Sequence, residues 1–521
     1  MSEIHPKGPL KAAFERILHQ HKVDPVFPEK VLEETRALAS KPLDFSGLMD
    51  LRELPFVTID NDDSKDLDQA LFVEATDDSF VVWYALADAA YFVHPGSALF
   101  ERALVQGTSF YLPGLSVPML PAALSEGLVS LNPKVDRRAL VFKVKLDSKG
   151  KVQDVKLLRG VVQSRAKLAY DDVQAWLDAK HRRFDDEHFA PSLRNMVKVG
   201  VLRIAQAAER DVITFERFEP HVEISADGEG LEVSRRIRND VERYNEQISL
   251  LCNTVGANMM SDFGHSPQLQ SVFRVHLPPL SQRLTELKET LDGIVETHGL
   301  DERWRWTGQS LADYLAGLPQ GSEDARMRMA VERQVRYANR SSDFSATVGP
   351  HFALGVDHYA RFTAPMREVV GIFTHKEALE VIGYEKPADP SADEILRDRV
   401  IEAANRGNAT QRSIDRDIGL LVIKQIFDDD LTKPLEDRPI RKGTILGSRS
   451  TQLYVVLDDI PIDVKIWTDD LSTLAGHELQ HRAGVLGTIP PYVFRIGDEI
   501  RIRTSHFDHG RQRVVLAPVF D

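Results

Sequence analysis

Apolar and polar positions follow different rhythms along this chain, and the changes of rhythm divide it. Residues 1 to 50 carry helical spacing: "PLKAAFERILHQH" sets Leu10, Phe14, Ile17 and Leu18 near one face. After a proline, "PEKVLEETRALA" predicts a second short helix, so the region is expected to be helical and helix-turn-helix-like. From 51 to 432 both periods occur. "FVVWYALADAAYFV" is expected as a buried strand, whereas "LSQRLTELKETLDGIVETHG" repeats Leu284, Leu287, Leu291 and Ile294 at helical spacing and stops on a glycine. Residues 438–521 read as strands. In "YVFRIGDEIRIRTSHFDHGRQRVVLAPV", Ile500 and Ile502 alternate with Arg501 and Arg503, and a turn at His509-Gly510 leads into another strand. Short strands with tight turns over about 80 residues predict a small β-barrel of OB type.

Composition narrows the class without naming a chemistry. The 521 residues are 42% hydrophobic and 28% charged, enough apolar material for a large core and ordinary for a globular protein. No run approaches the roughly 20 apolar residues of a membrane span, and the N-terminus lacks the apolar stretch of a signal peptide, so a cytoplasmic protein is expected. Cys252 is the single cysteine, which excludes an internal disulfide; in "ISLLCNTVG" it reads as a buried hydrophobe. The net charge of −14 argues against a generally basic nucleic-acid coat. That charge is uneven: residues 438–521 hold 11 basic and 10 acidic side chains, leaving 54 and 69 over residues 1–437. An acidic body can still bind a polyanion where its basic groups line an enclosed channel.

Candidate chemistry concentrates in "FVTIDNDDSKDLDQALFVE", residues 56–74, where Asp60, Asp62, Asp63, Asp66 and Asp68 crowd between apolar runs. "FVTI" is expected to deliver Asp60 to the end of a strand. Asp66 and Asp68, two apart in extended backbone, would project to one side. Converging carboxylates repel unless a cation lies between them, and oxygen ligands without His or Cys select Mg²⁺ or Mn²⁺. Such ions are the usual equipment of phosphodiester hydrolysis. A solvated acidic turn or a Ca²⁺ loop would produce the same spacing.

The same residues resemble the RNB exoribonucleases, ribonuclease II and ribonuclease R. "TIDNDDSKDLDQA", "ALADAAYFVHPGS", "GTSFYLPGLSVPMLPAALSEGLVSL", "RYNEQISLLCN", "FRVHLPP", "GPHFALGVDHYARFTAPMR" and "SIDRDIG" follow the order of that family's motifs over most of residues 51–420. The resemblance implies an α/β (α+β) fold: a mixed-sheet RNB catalytic domain (51–432) enclosing an RNA channel, a short helical N-terminal region (1–50) and a C-terminal OB-type barrel (438–521). It implies a processive 3′→5′ hydrolytic exoribonuclease, monomeric and without a membrane role. Its partner would be single-stranded RNA with a free 3′ end, and its products nucleoside 5′-monophosphates.

The resemblance also implies site residues. Asp60, Asp66 and Asp68 match positions that hold Mg²⁺ or act around it, and Asp68 matches the aspartate whose loss is most damaging. Arg367, in "FTAPMRE", matches an arginine that grips phosphate near the scissile bond, as a guanidinium fork suits developing phosphoryl charge. Tyr111 matches an aromatic that stacks on the 3′-terminal bases, and Phe215 matches its partner across the stack. Glu246 and Asn253, seven apart on one helical face, are expected to contact RNA; Asp415 and Arg416 match an acid–arginine pair near the ribose, where a 2′-hydroxyl contact distinguishes RNA from DNA. Arg326, Arg333, Arg336 and Arg340 form a stripe that could guide phosphates or simply face solvent.

This sequence departs from the family at three places. Gln69 stands where a metal-binding aspartate is usual, and is expected to ligate through its amide oxygen or to hold a water. The block after Arg367 reads "EVVGIF", where a second arginine, a tyrosine and an aspartate are usual. The N-terminal region is too short for paired cold-shock domains. In the C-terminal segment Tyr454, Trp467, Tyr492 and Phe507 are the candidate RNA-facing aromatics. The departures leave two alternatives: a catalytically degenerate RNA-binding member, and a metal phosphatase acting on small substrates.

Overall fold

A computed structural model describes residues 5–76, 78–213, 219–262, 269–482, 484–511 and 513–520. The long apolar run forms strand Ser79–Ala87 at the heart of a five-stranded sheet. It pairs antiparallel with Gln69–Thr76 on one edge and with Asp136–Asp147 on the other. Val152–Gln163 follows, and Met49–Asp50 adds a short parallel edge. A strand paired on both edges and covered on both faces has no wet side, so its apolar residues need not alternate. Tyr84 and Phe142 stand opposite each other in the register, and helix Asp240–Asp262 reaches that face through Ser249, which hydrogen-bonds the Tyr84 hydroxyl. Phe362 lies between: its ring meets Phe142 edge to face at 5.2 Å. A Cβ on Gly256 would sit 2.4 Å from the Phe362 ring, so the helix comes this close only because position 256 is bare.

The C-terminal strands form a second, antiparallel sheet in the order Asp463–Trp467, Gln452–Leu457, Arg441–Ser448, Glu499–Asp508, Arg513–Pro518. Its two outer strands approach each other, and a three-stranded sheet, His481–Arg482, Val485–Ile489 and Tyr492–Arg495, lies beside Arg441–Ser448. Ile500 and Ile502 point into this core, as their alternation with the arginines requires.

One helix, Pro390–Leu431, ties the two sheets together. The Asp389 carboxylate accepts the Ala392 amide at 3.1 Å and starts it; its 42 residues extend about 63 Å at 1.5 Å per residue. One end packs on helix Ala98–Gln106 and the other on strand Glu499–Asp508. Gly107, at φ +80°, lets the chain cross it backbone to backbone, since a Cβ there would lie 2.2 Å from the Ala403 carbonyl oxygen.

The N-terminal helices form as their periodicity requires. Helix Gly8–Gln20 buries Leu10, Phe14, Ile17 and Leu18 in a core shared with Ile414, Ile418 and Val422 of the long helix and with the C-terminal strands. Helix Glu29–Ala39 instead joins the core of the first sheet through Val31. The arginine stripe on helix Ala325–Ala338 is largely committed. Arg326 forks onto Asp458, pairing with it and with Glu499 at 2.9 Å, and Arg333 pairs with Asp463, so the helix docks on the C-terminal strands. No helix among the described residues is long and apolar enough to cross a membrane.

Candidate active site

The motif strand is Thr58–Asp60, which pairs in parallel with Lys167–Ala169 and ends at Asp60. The next strand begins at Gln69, so Asp66 and Asp68 precede it rather than stand within it, and Arg367 acts on both carboxyls. They lie in the irregular stretch 61–68. Side chains from elsewhere hold it: Leu67 donates its amide to Ser130 Oγ at 3.0 Å, and that hydroxyl donates to the Lys65 carbonyl at 2.9 Å. Lys167 Nζ donates to the Asp62 carbonyl at 2.7 Å. Asp62 and Asp63 are exposed, while Asp60 and Asp66 are half-buried and Asp68 is buried.

Asp68 is the most constrained of the five. One carboxylate oxygen accepts the Met366 amide at 3.0 Å, and the other accepts Arg367 Nε at 2.6 Å. Burial pushes its carboxyl up to about 6, even though Arg367 pulls the other way. Asp66 is also raised, first by burial and then by Asp60, with Arg367 opposing. Burial lowers the Arg367 guanidinium, but Asp68, Tyr111 and Asp66 outweigh it and the net shift is strongly upward. Arg367 is placed by its own backbone: its carbonyl accepts Thr108 Oγ1 at 2.9 Å and the Ser109 amide at 2.8 Å. The "GTSFYLPG" and "APMR" segments are thereby fastened to each other.

Tyr111 occupies the middle of the three-residue strand Phe110–Leu112, whose alternation buries Phe110 and Leu112 and turns Tyr111 outward. Its ring lines a cavity of about 1630 Å³ between the first sheet's loops, the long helix and the C-terminal strands. Its hydroxyl is pushed up to about 12 by burial, with Asp66 and Asp68 adding and Arg367 opposing, so it joins the cavity to the aspartates. Gln411 of the long helix clamps this strand, accepting the Tyr111 amide at 2.9 Å and donating to its carbonyl at 3.0 Å. Asp415 and Arg416, one turn further, line the same cavity. Gln411 also donates to Asp415 at 2.7 Å, and burial raises the Asp415 carboxyl against that bond.

One expected RNA contact is placed otherwise. Asn253 is completely buried: its amide donates to Tyr359 and Thr363 at 2.9 Å each and its oxygen accepts the Phe362 amide at 2.8 Å. A side chain with no exposed atom cannot touch RNA, so Asn253 is corrected to a residue that positions the strap 359–363. Glu246 is half-exposed and paired with Arg238 at 3.2 Å. Phe215 lies outside the described residues. Gln69 gives its amide oxygen to the hydroxyl of Tyr84, a bond no sequence pattern announces.

The donor set suits a hard cation: three carboxylates and an amide oxygen, with Asp66 and Asp68 raised by burial and by the neighbouring carboxylate. The carboxyl oxygens of Asp60, Asp66 and Asp68 do not all lie within 4.8 Å of one another. Among the described residues the one trio of acidic ligand atoms within 4.8 Å of each other is Glu377, Glu380 and Asp393. That trio already has its cation, because Lys376 Nζ lies 2.8, 2.7 and 2.6 Å from the three carboxylates.

Solved structures place this architecture. Ribonuclease R of Mycoplasma genitalium, in complex with ribose methylated single-stranded RNA, superposes with a TM-score of 0.85 over 98% of this chain and 79% of its own, at 22% identity. Yeast Ssd1, described as a pseudonuclease, shares the fold with a TM-score of 0.67 at 14% identity, over 89% of this chain and 56% of its own. The RNB domain model matches residues 48–378, and the chain belongs to the RNB domain family. Ribonuclease R of Vibrio parahaemolyticus is 27% identical over 508 residues, which is 93% of this chain and 58% of that protein. The chain thus spans a little under three fifths of that relative's length.

Proposed function

We propose that this chain is a hydrolytic 3′→5′ exoribonuclease that degrades single-stranded RNA from a free 3′ end, processively, to nucleoside 5′-monophosphates, as a cytoplasmic monomer. The observation that carries the proposal is the ion pair between buried Asp68 and part-exposed Arg367 beside Tyr111, whose ring faces a cavity large enough for several nucleotides. The relatives named ribonuclease R support it. Asp60, Asp66, Asp68 and the amide oxygen of Gln69 are the ligands for Mg²⁺, with Mn²⁺ as substitute. Such an ion lowers the pKa of water and stabilises charge on the transferring phosphoryl group. Tyr111 supplies a stacking face, which accepts every base and so suits digestion without sequence preference. Arg367 supplies its terminal guanidinium nitrogens to the phosphate while Nε stays on Asp68, so the grip is preset. Arg416 and Asp415, further along the cavity wall, are placed to meet backbone and ribose.

The test is a 5′-labelled oligo(A) incubated with the full chain and Mg²⁺. Progressive shortening with AMP release is expected, and Asp68→Asn should slow it by at least about 100-fold, the scale for losing a preset charge-stabilising group. Intact oligo(A) after prolonged incubation would sink the proposal.

A second reading, a degenerate member, is motivated by one observation: the oxygen of Gln69 is already engaged by Tyr84. A degenerate member would bind the same oligo(A) with steep salt dependence and release no nucleotide.

A further inference from the structure

Beside the large cavity lies a second hollow of about 200 Å³, walled by helices Ser281–His298 and Ala325–Ala338 and by the C-terminal strands. Two tyrosines face it, Tyr337 from the helix and Tyr454 from strand Gln452–Leu457, with ring centroids 6.4 Å apart and planes tilted by 59°. Charged groups of both signs surround them, Glu286 among them, which pairs with Arg283 at 3.0 Å. The Arg449 guanidinium lies 5.8 Å from the Tyr454 ring centroid, and Arg283 and His481 line the rim. Ser448 Oγ, on the wall, is shielded from solvent and has no hydrogen-bond partner. Aromatic faces, guanidinium groups and an unspent hydroxyl are the complement of a nucleotide: a base to stack, a phosphate to pair and a polar edge to bond.

The hollow continues the large cavity. Val456 lines the cavity and Tyr454 the hollow; two apart on one strand, they share a face and lie about 6.6 Å apart. On the helix, Arg333 lines the cavity and donates Nε at 3.0 Å to the hydroxyl of Tyr337, one turn on. Leu446 lines the first and Gly447 the second. A strand leaving the cavity over this wall meets Tyr337 and Tyr454 next.

We propose that this composite pocket is an outer stacking subsite for one nucleotide of the RNA strand, 5′ to those held in the large cavity. The inference rests on the exoribonuclease reading and adds where the upstream strand runs. The two rings come from opposite sides of the docking surface, so the pocket exists only while helix Ala325–Ala338 is seated on the C-terminal strands by Arg326 and Arg333.

Binding is measured by fluorescence anisotropy on the full chain carrying Asp68→Asn, with an oligo(A) tetramer, an oligo(A) twenty-mer and AMP. Tyr337→Ala with Tyr454→Ala is expected to weaken the twenty-mer at least about fivefold, the low end for one lost base stack, and to leave the tetramer unchanged. Gly447→Val tests the same point without removing a ring: a Cβ there meets Tyr454 at 3.4 Å and Tyr337 at 3.9 Å, ordinary contacts, and the added methyls fill the hollow. Tyr337→Phe with Tyr454→Phe should retain the affinity. If the wild type shortens RNA and the alanine and valine variants bind the twenty-mer as tightly as their parent, the subsite is refuted alone. If AMP binding is lost in these variants while twenty-mer affinity holds, the pocket is a mononucleotide site and the strand path is wrong. A wild type that neither binds nor shortens RNA removes the exoribonuclease reading and this inference together.

Discussion

At Gln69 the amide oxygen accepts the hydroxyl of Tyr84, a phenol so completely buried that its ionisation is pushed well above the usual value. An amide makes that bond without adding a further charge beside Asp60, Asp66 and Asp68, so an ion held there as proposed would meet one negative charge fewer than a carboxylate at position 69 would give. Other single residues report on pH. His375 has no exposed surface, donates from Nε2 to the Phe362 carbonyl at 2.8 Å, and is depressed from 6.5 to about 4 by burial; His351 is depressed to about 4 for the same first reason. Each must be neutral in the folded chain. Their contribution is therefore complete above about pH 6.5 and is lost as the pH falls toward 4, by up to about 1.4 kcal/mol per pH unit for each histidine. His375→Gln is expected to lower stability at neutral pH yet flatten that acid slope by nearly one proton, as read from urea unfolding at pH 7.5, 6 and 5. Equal slopes would show that His375 does not titrate on unfolding.

The aspartate cluster stood out by residue type and spacing, whereas Tyr111 and Arg367 were singled out only through the resemblance to the RNB exoribonucleases. Their supports were not legible in either way. Gln411 acts on Tyr111 across 300 positions, and Thr108 on Arg367 across 259, so no local pattern links them. Among the elements, periodicity located the helices but did not tell which face is covered. Helix Asp240–Asp262 is buried on most sides between the sheet and the strap 359–363, so Asn253, which shares a helical face with Glu246, ends in the interior. Asp66 and Asp68 fall outside the strand because the stretch before Gln69 is held by Ser130 rather than by a strand partner. The closeness of that helix is itself testable. Gly256→Ala places a methyl 2.4 Å from a fully buried Phe362 ring, and is expected to cost about 1–3 kcal/mol by overpacking. Since Phe362 sits five residues before Arg367, hydrolysis should fall along with the urea midpoint. Unchanged stability would mean the helix shifts freely on the strap.

For the whole molecule, a net charge of −14 leaves any bound polyanion to be held by local cations. Arg333, Arg336, Arg416, Lys424 and Lys465 line the large cavity, but so do Asp62, Asp63, Glu332, Asp415, Asp458 and Asp463, so its wall is mixed in sign and individual contacts must hold the phosphates. RNA binding should therefore weaken linearly in log–log salt, by about 0.7 per phosphate engaged on a single strand. Arg416 is mostly exposed, with its nearest acid, Asp417, at 3.7 Å. Arg416→Ala is expected to reduce the slope by about 0.7, measured on oligo(A) in the Asp68→Asn background; an unaltered slope would remove Arg416 from the phosphate path.

The docking of helix Gly8–Gln20 has a consequence for how the chain is made. Its apolar side is buried by Ile414, Ile418, Val422 and the C-terminal strands, and His21 Nε2 meets Asp417 Oδ2 at 2.7 Å across 396 positions. At about 5–20 residues per second, the ribosome needs tens of seconds to deliver that partner surface. Throughout that interval Leu10, Phe14, Ile17 and Leu18 have no native site to occupy. This helix leaves the ribosome long before its partner surface and is thus among the last to settle, and a nascent chain stalled before residue 414 should present that apolar stripe to whatever holdase waits at the exit.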